Sequence, residues 1–385
     1  MNEREIFQSA VEIADDTERQ QYLDSACGPN RALREQVEQL LRAHEAASQF
    51  LAVPAAAQLT PSPHDVAEST TYLPKGATAS SSPDDEAVSL EFLEPSTKPG
   101  SRGRLAHYEV LEVLGRGAFG IVLKAFDEKL HRMVAIKVLN PELAATSPPR
   151  KRFLREAQSS AKIRHENIVS IYAVEEQPMP YIVMEYIPGG TLQQRLDQTG
   201  PLAVEEILRL GQQIALGLAA AHAQGLIHRD IKPANILMGA GVEERVKITD
   251  FGLARATDDA SLTQSGLIAG TPMYMAPEQA KGQSLDHRTD LFSLGSVLYT
   301  MASGRPPFRA PNTIAVLKRV CEDTPRPIRE VIPETPSWLS DIIGKLQAKE
   351  PDDRFQSARE VADVLGQYLA YVREPMTAPR PVPVA

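Results

Sequence analysis

His228-Arg229-Asp230-Ile231-Lys232-Pro233-Ala234-Asn235 and, fifteen residues on, Asp250-Phe251-Gly252 are the stretches on which the reading of this chain turns. The first puts a carboxylate, an ammonium group and a carboxamide within six residues of one another, on a segment that Pro233 closes as a loop. The second puts another carboxylate after the strand-like run Val246–Ile248 and ahead of a long segment rich in Ser and Thr.

Outward toward the N-terminus, Val134-Ala135-Ile136-Lys137 is an apolar strand ending in a lysine. A charge in that setting needs a partner, and Glu156, one helix later, is the candidate; a lysine solvated at a strand end is the plain alternative. Further out lies Gly115-x-Gly117-x-x-Gly120-x-Val122. Glycines let a turn approach phosphate with its N–H groups facing the anion, although a simple glycine hairpin has the same composition. A dinucleotide-binding turn opens a helix, whereas Ile121-Val122-Leu123 continues here as strand.

Periodicity predicts strands over Tyr108–Leu114, Ile121–Ala125, Met133–Val138, Ile168–Val174 and Tyr181–Tyr186. It predicts helices over Pro149–Arg164, with Phe153, Ala157 and Ala161 on one face, and over Glu205–Gly225 and Thr289–Ala302. Residues 1–52 read as short amphipathic helices, with Ile6, Phe7, Ala10, Val11 and Ala14 at helical spacing, and again Leu33, Val37, Leu40 and Leu41. They form either a docking module or a hairpin that packs on itself or on the rest of the chain. Residues 53–104, rich in Pro, Ser, Thr, Ala and acidic residues, are expected to be a disordered linker, because they bury too little apolar surface to offset their ordering entropy. Residues 105–370 make the main domain, and 371–385 a Pro-rich disordered tail.

Composition narrows the partners. In 385 residues the formal net charge is −9, and no stripe of Lys and Arg is visible, which argues against nucleic acid or an anionic membrane. Two distant cysteines, Cys27 and Cys321, suit a reducing compartment. No apolar run approaches the ~20 residues that cross a bilayer, so no membrane span and a cytoplasmic location are expected.

Taken together, the motifs resemble the eukaryotic-type protein kinase family in order and spacing, from Tyr108 to about Leu369. The resemblance implies an α+β, bilobal protein kinase fold, with a small antiparallel sheet and one main helix in the N-lobe and a mostly helical C-lobe. It implies a serine/threonine protein kinase that moves the ATP γ-phosphate to protein hydroxyls, with Mg²⁺ (or Mn²⁺) as cofactor. On that basis Lys137, paired to Glu156, holds the α- and β-phosphates under Gly115, Gly117 and Gly120. Asp230 takes or orients the hydroxyl proton, Lys232 steadies the γ-phosphate, and Asn235 and Asp250 bind metal. Leu114, Val122, Ala135, Leu237 and Thr191 belong to the nucleotide site, with Met184 as gate and the Glu185–Ile187 backbone as hinge. Ala276-Pro277-Glu278 closes the activation segment, Glu278 pairs with Arg354, and Asp290 anchors the catalytic-loop backbone.

The same resemblance bears on substrate and control. Lys232, and Gly270-Thr271-Pro272, fit the serine/threonine pattern; Ala234 stands where basic-directed kinases often carry Glu. Arg229 before Asp230 suggests control by an activation-loop phosphate, at Thr263 or Ser265, with Ser261 and Thr257 behind them. The loop looks most like that of bacterial receptor-type kinases, which often continue into a membrane helix and sensor domain; neither is expected here, and a homodimer through the N-lobe is. Ser160 departs from the pattern: relatives place a bulky apolar side chain there, in a column with Ile171, His228 and Phe251. The helix bearing Glu156 is therefore expected to be loosely held. The alternatives are a nucleotide-binding pseudokinase scaffold, disfavoured because Lys137, Asp230, Asn235 and Asp250 are all present, and a small-molecule phosphotransferase, disfavoured by the long activation segment.

Overall fold

Period-two alternation builds a sheet with two dissimilar faces. In the computed structural model, residues 16–28, 30, 34, 90–117, 120–144, 147–241, 245–251, 272–379 and 381–382 are described. The chain forms two compact units, Met1–Ala67 and Glu68–Ala385. In the first, α1 (Asp16–Cys27) buries Leu23 and Cys27; the helices expected around Ile6–Ala14 and Leu33–Leu41 lie outside the described residues.

In the second unit six antiparallel strands are ordered β1-β2-β3-β4-β6-β5. They are β1 (Gly103–Leu105), β2 (Tyr108–Gly117), β3 (Gly120–Asp127), β4 (Arg132–Leu139), β5 (Ile171–Glu175) and β6 (Tyr181–Glu185). Ile121, Leu123 and Ala125 of β3 join Val134, Ile136 and Val138 of β4 in one core cluster. Val122 and Ala135, one residue out of phase, join a different cluster on the opposite face. Lys137 shares the phase of Ala135 and pairs in register with Val122 of β3 and Ile182 of β6. The strand alternation alone therefore turns the lysine toward the second face.

The expected linker is ordered at its C-terminal end. Leu90, Phe92 and Leu93 pack against the first cluster, Glu94 and Arg104 form an antiparallel bridge, and β1 adds a strand to the sheet edge. These apolar residues give 90–104 enough to bury, which the polar residues before them lack. Two short helices follow the sheet's first strands: α2 (Pro141–Ala144) and α3 (Ser147–Ser160), whose Phe153, Leu154 and Ala157 pack on Leu139 and Ile182.

The rest is mainly helical. It comprises α4 (Leu192–Thr199), α5 (Val204–His222), the strand pair β7 (Ile236–Met238) and β8 (Val246–Ile248), and α6 (Pro277–Ala280). Beyond these come α7 (Arg288–Ser303), α8 (Thr313–Glu322), α9 (Ile328–Val331), α10 (Ser337–Leu346) and α11 (Ala358–Arg373). Every residue of α7 after Arg288 is buried, so the lobe is assembled around it. Helix α11 carries three residues past the expected domain end at 370. Among the described residues no helix is long and apolar enough to cross a membrane.

Candidate active site

The segment His228–Asn235, expected to be the catalytic loop, is held through its backbone. Both N–H groups of His228 and Arg229 donate to the Asp290 carboxylate, at 2.8 and 2.7 Å, and Asp290 is fully buried on α7. Arg229 adopts φ +68°, a left-handed conformation that costs a non-glycine residue ~1–3 kcal/mol and persists only where surroundings enforce it. Its carbonyl accepts from Gln279 Nε2 at 2.9 Å, so the strained residue is fixed from both sides. Burial pushes the Asp290 carboxyl up, but the hydrogen bond and charge of His222 and the bond from the His228 N–H outweigh it and hold it below the usual carboxylate range. His228 accepts at Nδ1 from the Asp230 N–H (3.2 Å), which leaves Nε2 to donate to the Thr249 carbonyl (2.8 Å). One imidazole thus ties the loop bearing Asp230 to the residue before Asp250.

The residues expected to act converge. Lys232 Nζ lies 2.9 Å from Asp230 Oδ2, and Asn235 Nδ2 donates to Asp230 O (2.8 Å) and Oδ2 (3.0 Å). Both amide hydrogens of Asn235 are thereby used, which points Oδ1 as a free acceptor. Lys137 Nζ lies 2.8 Å from Asp250 Oδ1. Asp250 itself sits at φ +63°. A carboxylate and a carboxamide oxygen are hard donors that fit Mg²⁺ or Mn²⁺, and among the described residues no cluster of three or more His, Cys, Asp or Glu could hold a metal by itself. An ion bound by Asp250 and Asn235 would need its remaining oxygens from phosphates and water.

One expected contact is absent. Lys137 pairs with Asp250 and not with Glu156. Glu156 is buried, but it lines a cavity of about 350 Å³ on the other side of α3, together with Arg155, Ser159, Lys162, Gln224 and Arg229. The residues of α3 that reach the Lys137 side are Ala157 and Ser160, which border a small void of about 30 Å³ with Met184 and Phe251. Ser160 Oγ is buried and approaches the Phe251 carbonyl at 3.4 Å, while Phe251 packs edge-on against His228. Phe153, Leu154 and Ala157 hold α3 on the sheet, but the short polar side chain at 160 leaves the void beside Phe251 and Met184 unfilled.

Leu114, Val122, Ala135, Met184, Ile187 and Leu237 form one apolar cluster, joined by Val169 and, at its edge, Tyr186. The first six were legible in sequence, and Tyr186 lies within the expected hinge Glu185–Ile187; Val169 was not singled out, although it lies in the strand-like run Ile168–Val174. Gly115 and Gly117 pair with Val122 and Gly120 across the β2–β3 turn. Gly120 has φ +150°, and a Cβ there would collide with the Val138 carbonyl, so this position accepts only glycine. Glu185 is tied at its side chain to Lys247 (3.0 Å) and lies in register with Val134. Thr191 is buried at the N-cap of α4, where its hydroxyl accepts from Gln194 N, and only its backbone bridge to Leu237 ties it to the apolar cluster.

Below, Arg354 is 1% exposed and grips Glu278 with both terminal nitrogens at 2.8 Å. Burial pulls the Glu278 carboxyl up, and the Arg354 bonds more than reverse it. Gly252, Thr257, Ser261, Thr263, Ser265, Gly270 and Thr271 lie outside the described residues.

With this geometry in place, comparison with known proteins is direct. Residues 108–364 match the protein kinase domain family. Serine/threonine-protein kinase PknB of Mycolicibacterium smegmatis is 42% identical over 267 residues, covering 67% of this chain and 42% of that protein. A probable serine/threonine-protein kinase of Clostridium perfringens is 38% identical over 255 residues, covering 66% and 37%. The chain therefore spans about two fifths of the length of these curated relatives. The crystal structure of the Mycobacterium tuberculosis PknI kinase domain aligns with a TM-score of 0.55 at 30% identity, covering 69% of this chain and 98% of that one. The match spans every residue of the site described above, and the chain is a member of the protein kinase domain family.

Proposed function

We propose that this chain is a serine/threonine protein kinase that transfers the γ-phosphoryl group of ATP to Ser and Thr hydroxyls of proteins, with Mg²⁺ as the metal and Mn²⁺ as a substitute. The family uses ATP and a divalent cation. The observation that carries the reading is the meeting of Asp230, Lys232 and Asn235 within 3.0 Å contacts, beside a second centre made by Lys137 and Asp250. Asp230 accepts or orients the proton of the attacking hydroxyl, so that the new O–P bond forms as the bond to the leaving ADP oxygen breaks. Lys232 balances charge on the phosphoryl oxygens, and Lys137 holds the inner phosphates. Bound metal would neutralise developing charge; Asp250 and Asn235 would hold it. The cluster of Leu114, Val122, Ala135 and Leu237 takes the adenine, with the Glu185–Ile187 backbone beside it.

Control follows from what Lys137 and Glu156 do not share. In the active state Glu156 turns in to pair with Lys137, releasing Asp250 for metal. A phosphate on Thr263 or Ser265 meets Arg229, whose cavity already holds Arg155 and Lys162, and so drives that rotation. Leu130, 62% exposed, and Tyr172 offer an N-lobe surface for pairing of two copies. A cytoplasmic setting suits these substrates. The test is transfer of labelled phosphate from ATP by purified protein, with Asp230→Asn as control and the sites located by mass spectrometry. Equal label in the control would point to a contaminant and sink the reading.

A further inference from the structure

The segment ahead of β1 grips the edge of the sheet from both faces. On one face Leu90, Phe92 and Leu93 pack against the apolar cluster that holds Tyr108 and Val110 of β2 and Ile136 and Val138 of β4. At the edge itself Glu94 and Arg104 exchange both backbone hydrogen bonds, at 2.8 and 2.7 Å. Gly103, at φ +138°, permits this approach, since a Cβ there would stand 2.9 Å from both Leu93 Cβ and the Glu94 carbonyl oxygen. Glu109, between Tyr108 and Val110, belongs by alternation to the other face, in register with Arg104. It is only 3% exposed, and Ser96 Oγ donates to its Oε1.

The segment is thus a clip, and Ser96 latches it on the polar side. The same Oγ accepts from the Lys98 N–H at 3.1 Å, so the hydroxyl is engaged both as donor and as acceptor. Burial pushes the Glu109 carboxyl up, but the hydrogen bonds of Ser101 and Ser96 outweigh it and hold it below the usual carboxylate range. A buried anion that loses such a donor is left costly and unsatisfied. The basic side chains of the segment are already committed, Lys98 to Glu128 and Arg104 to Glu94 at 3.1 Å. Ser96 is half-buried, but Pro95 before it and residues 97–100 after it are exposed, which leaves the peptide open to an enzyme.

Resting on the kinase reading, we propose that Ser96 is a phosphoacceptor for this activity and that its phosphorylation opens the clip. The Oγ–P bond forms as the bond to the ADP oxygen of ATP breaks, and the hydroxyl proton goes to Asp230 of the acting molecule. The ester keeps no proton for Glu109 and sets about −1.5 to −2 charges against a buried carboxylate. Repulsion then drives the segment off the edge and uncovers the cluster beneath Leu90, Phe92 and Leu93, whose Ile136 and Val138 flank Lys137 on β4.

Purified full chains of wild type and Ser96→Ala would be incubated with ATP and Mg²⁺, and hydrogen exchange read by mass spectrometry on peptides spanning 90–105. Phosphorylated and unphosphorylated forms of the peptide differ in mass, so both are followed in one sample. Phosphate appears on Ser96, and the phosphorylated peptide exchanges its Glu94 and Arg104 amides about tenfold or more faster than the unphosphorylated one, whereas adding ATP changes Ser96→Ala by less than about threefold. Phosphate on other residues with none on Ser96 overturns the inference. So does phosphorylated Ser96 with unchanged exchange, or an equal rise on adding ATP in Ser96→Ala. A wild type that moves no phosphate sinks the kinase reading, and Ser96 as its substrate with it; an active wild type whose clip is indifferent to Ser96 sinks this inference alone.

Discussion

Two sets of buried charge in this molecule are held in opposite ways. Arg354 spends its guanidinium on five acceptors: both oxygens of Glu278 and the carbonyls of Arg288, Ala348 and Lys349. Glu278 takes a further bond from Thr289 at 2.9 Å. All five guanidinium N–H groups are used, which fixes the clamp in one arrangement. Among the described residues Lys137 instead has one carboxylate partner, Asp250, while Glu156 lines a different cavity. Changing the partner of Lys137 requires only that α3 rotate past Ala157 and Ser160, where packing is incomplete. The difference separates a platform, which holds the backbone of His228 and Arg229, from an adjustable half, which under the proposed function decides when the metal and phosphate groups line up.

The largest effect tests the platform's chemistry. Asp230→Asn keeps the size of the side chain but removes the proton acceptor. Phosphate transfer should fall by about 10²–10⁴ with little change in thermal midpoint. A variant that retains half its rate would mean that Asp230 only orients. Second in size is the clamp itself. Arg354→Met leaves Glu278 charged and buried, and should cost ~3–5 kcal/mol in denaturant unfolding. A loss below ~1 kcal/mol would erase the contrast between the two sets of charge.

Much of the platform could be read before the structure, because its residues sit in short contiguous motifs whose local geometry is dictated by loop and strand chemistry. Asp230, Lys232 and Asn235 are neighbours in sequence and neighbours in space. The sheet alternation placed Val122, Ala135 and Lys137 on one face for the same reason. What escaped was set by tertiary competition. The expected strand from Ile168 begins only at Ile171, because Asn167 to Val169 are engaged by β8: Ile248 N donates to Asn167 O, and Val169 N to Ile248 O. Residues 90–104 escaped because a few apolar side chains in a polar stretch give no periodic signal. The partner of Lys137 escaped because two carboxylates, Glu156 and Asp250, compete for one ammonium, and sequence carries no information on which rotation of α3 wins.

That competition is adjustable by one side chain. Ser160→Met adds apolar surface beside Phe251 and Met184, next to a void of about 30 Å³ that a flexible side chain can enter after modest repacking. If weak packing at 160 lets α3 sit with Glu156 outward, the variant should raise the initial rate of unphosphorylated protein several-fold, and no more than about tenfold, which corresponds to ~1.4 kcal/mol. Unphosphorylated wild type that is already fully active on adding ATP and Mg²⁺ would show that α3 needs no such help.

The smallest effect lies in acid and probes the platform without measuring activity. Glu278 and Asp290 both have carboxyls held below their ordinary range, Glu278 chiefly because Arg354 outweighs burial. A depressed folded pKa means that the unfolded chain binds the proton more readily. The stability from each group is therefore complete above its unfolded pKa, about 4, and is lost as pH falls through the lower folded value. Below pH ~4 the wild type should lose stability as both groups take up protons, each adding at most ~1.4 kcal/mol per pH unit. Glu278→Gln removes one contribution, so its unfolding free energy should start lower at neutral pH yet fall less steeply in acid, with Asp290, Asp286 and Glu109, whose carboxyls are also held below the usual range, supplying the remaining slope. Parallel acid limbs in variant and wild type would mean that Glu278 keeps an ordinary affinity for protons, and that the clamp with Arg354 is tight in geometry but not in energy.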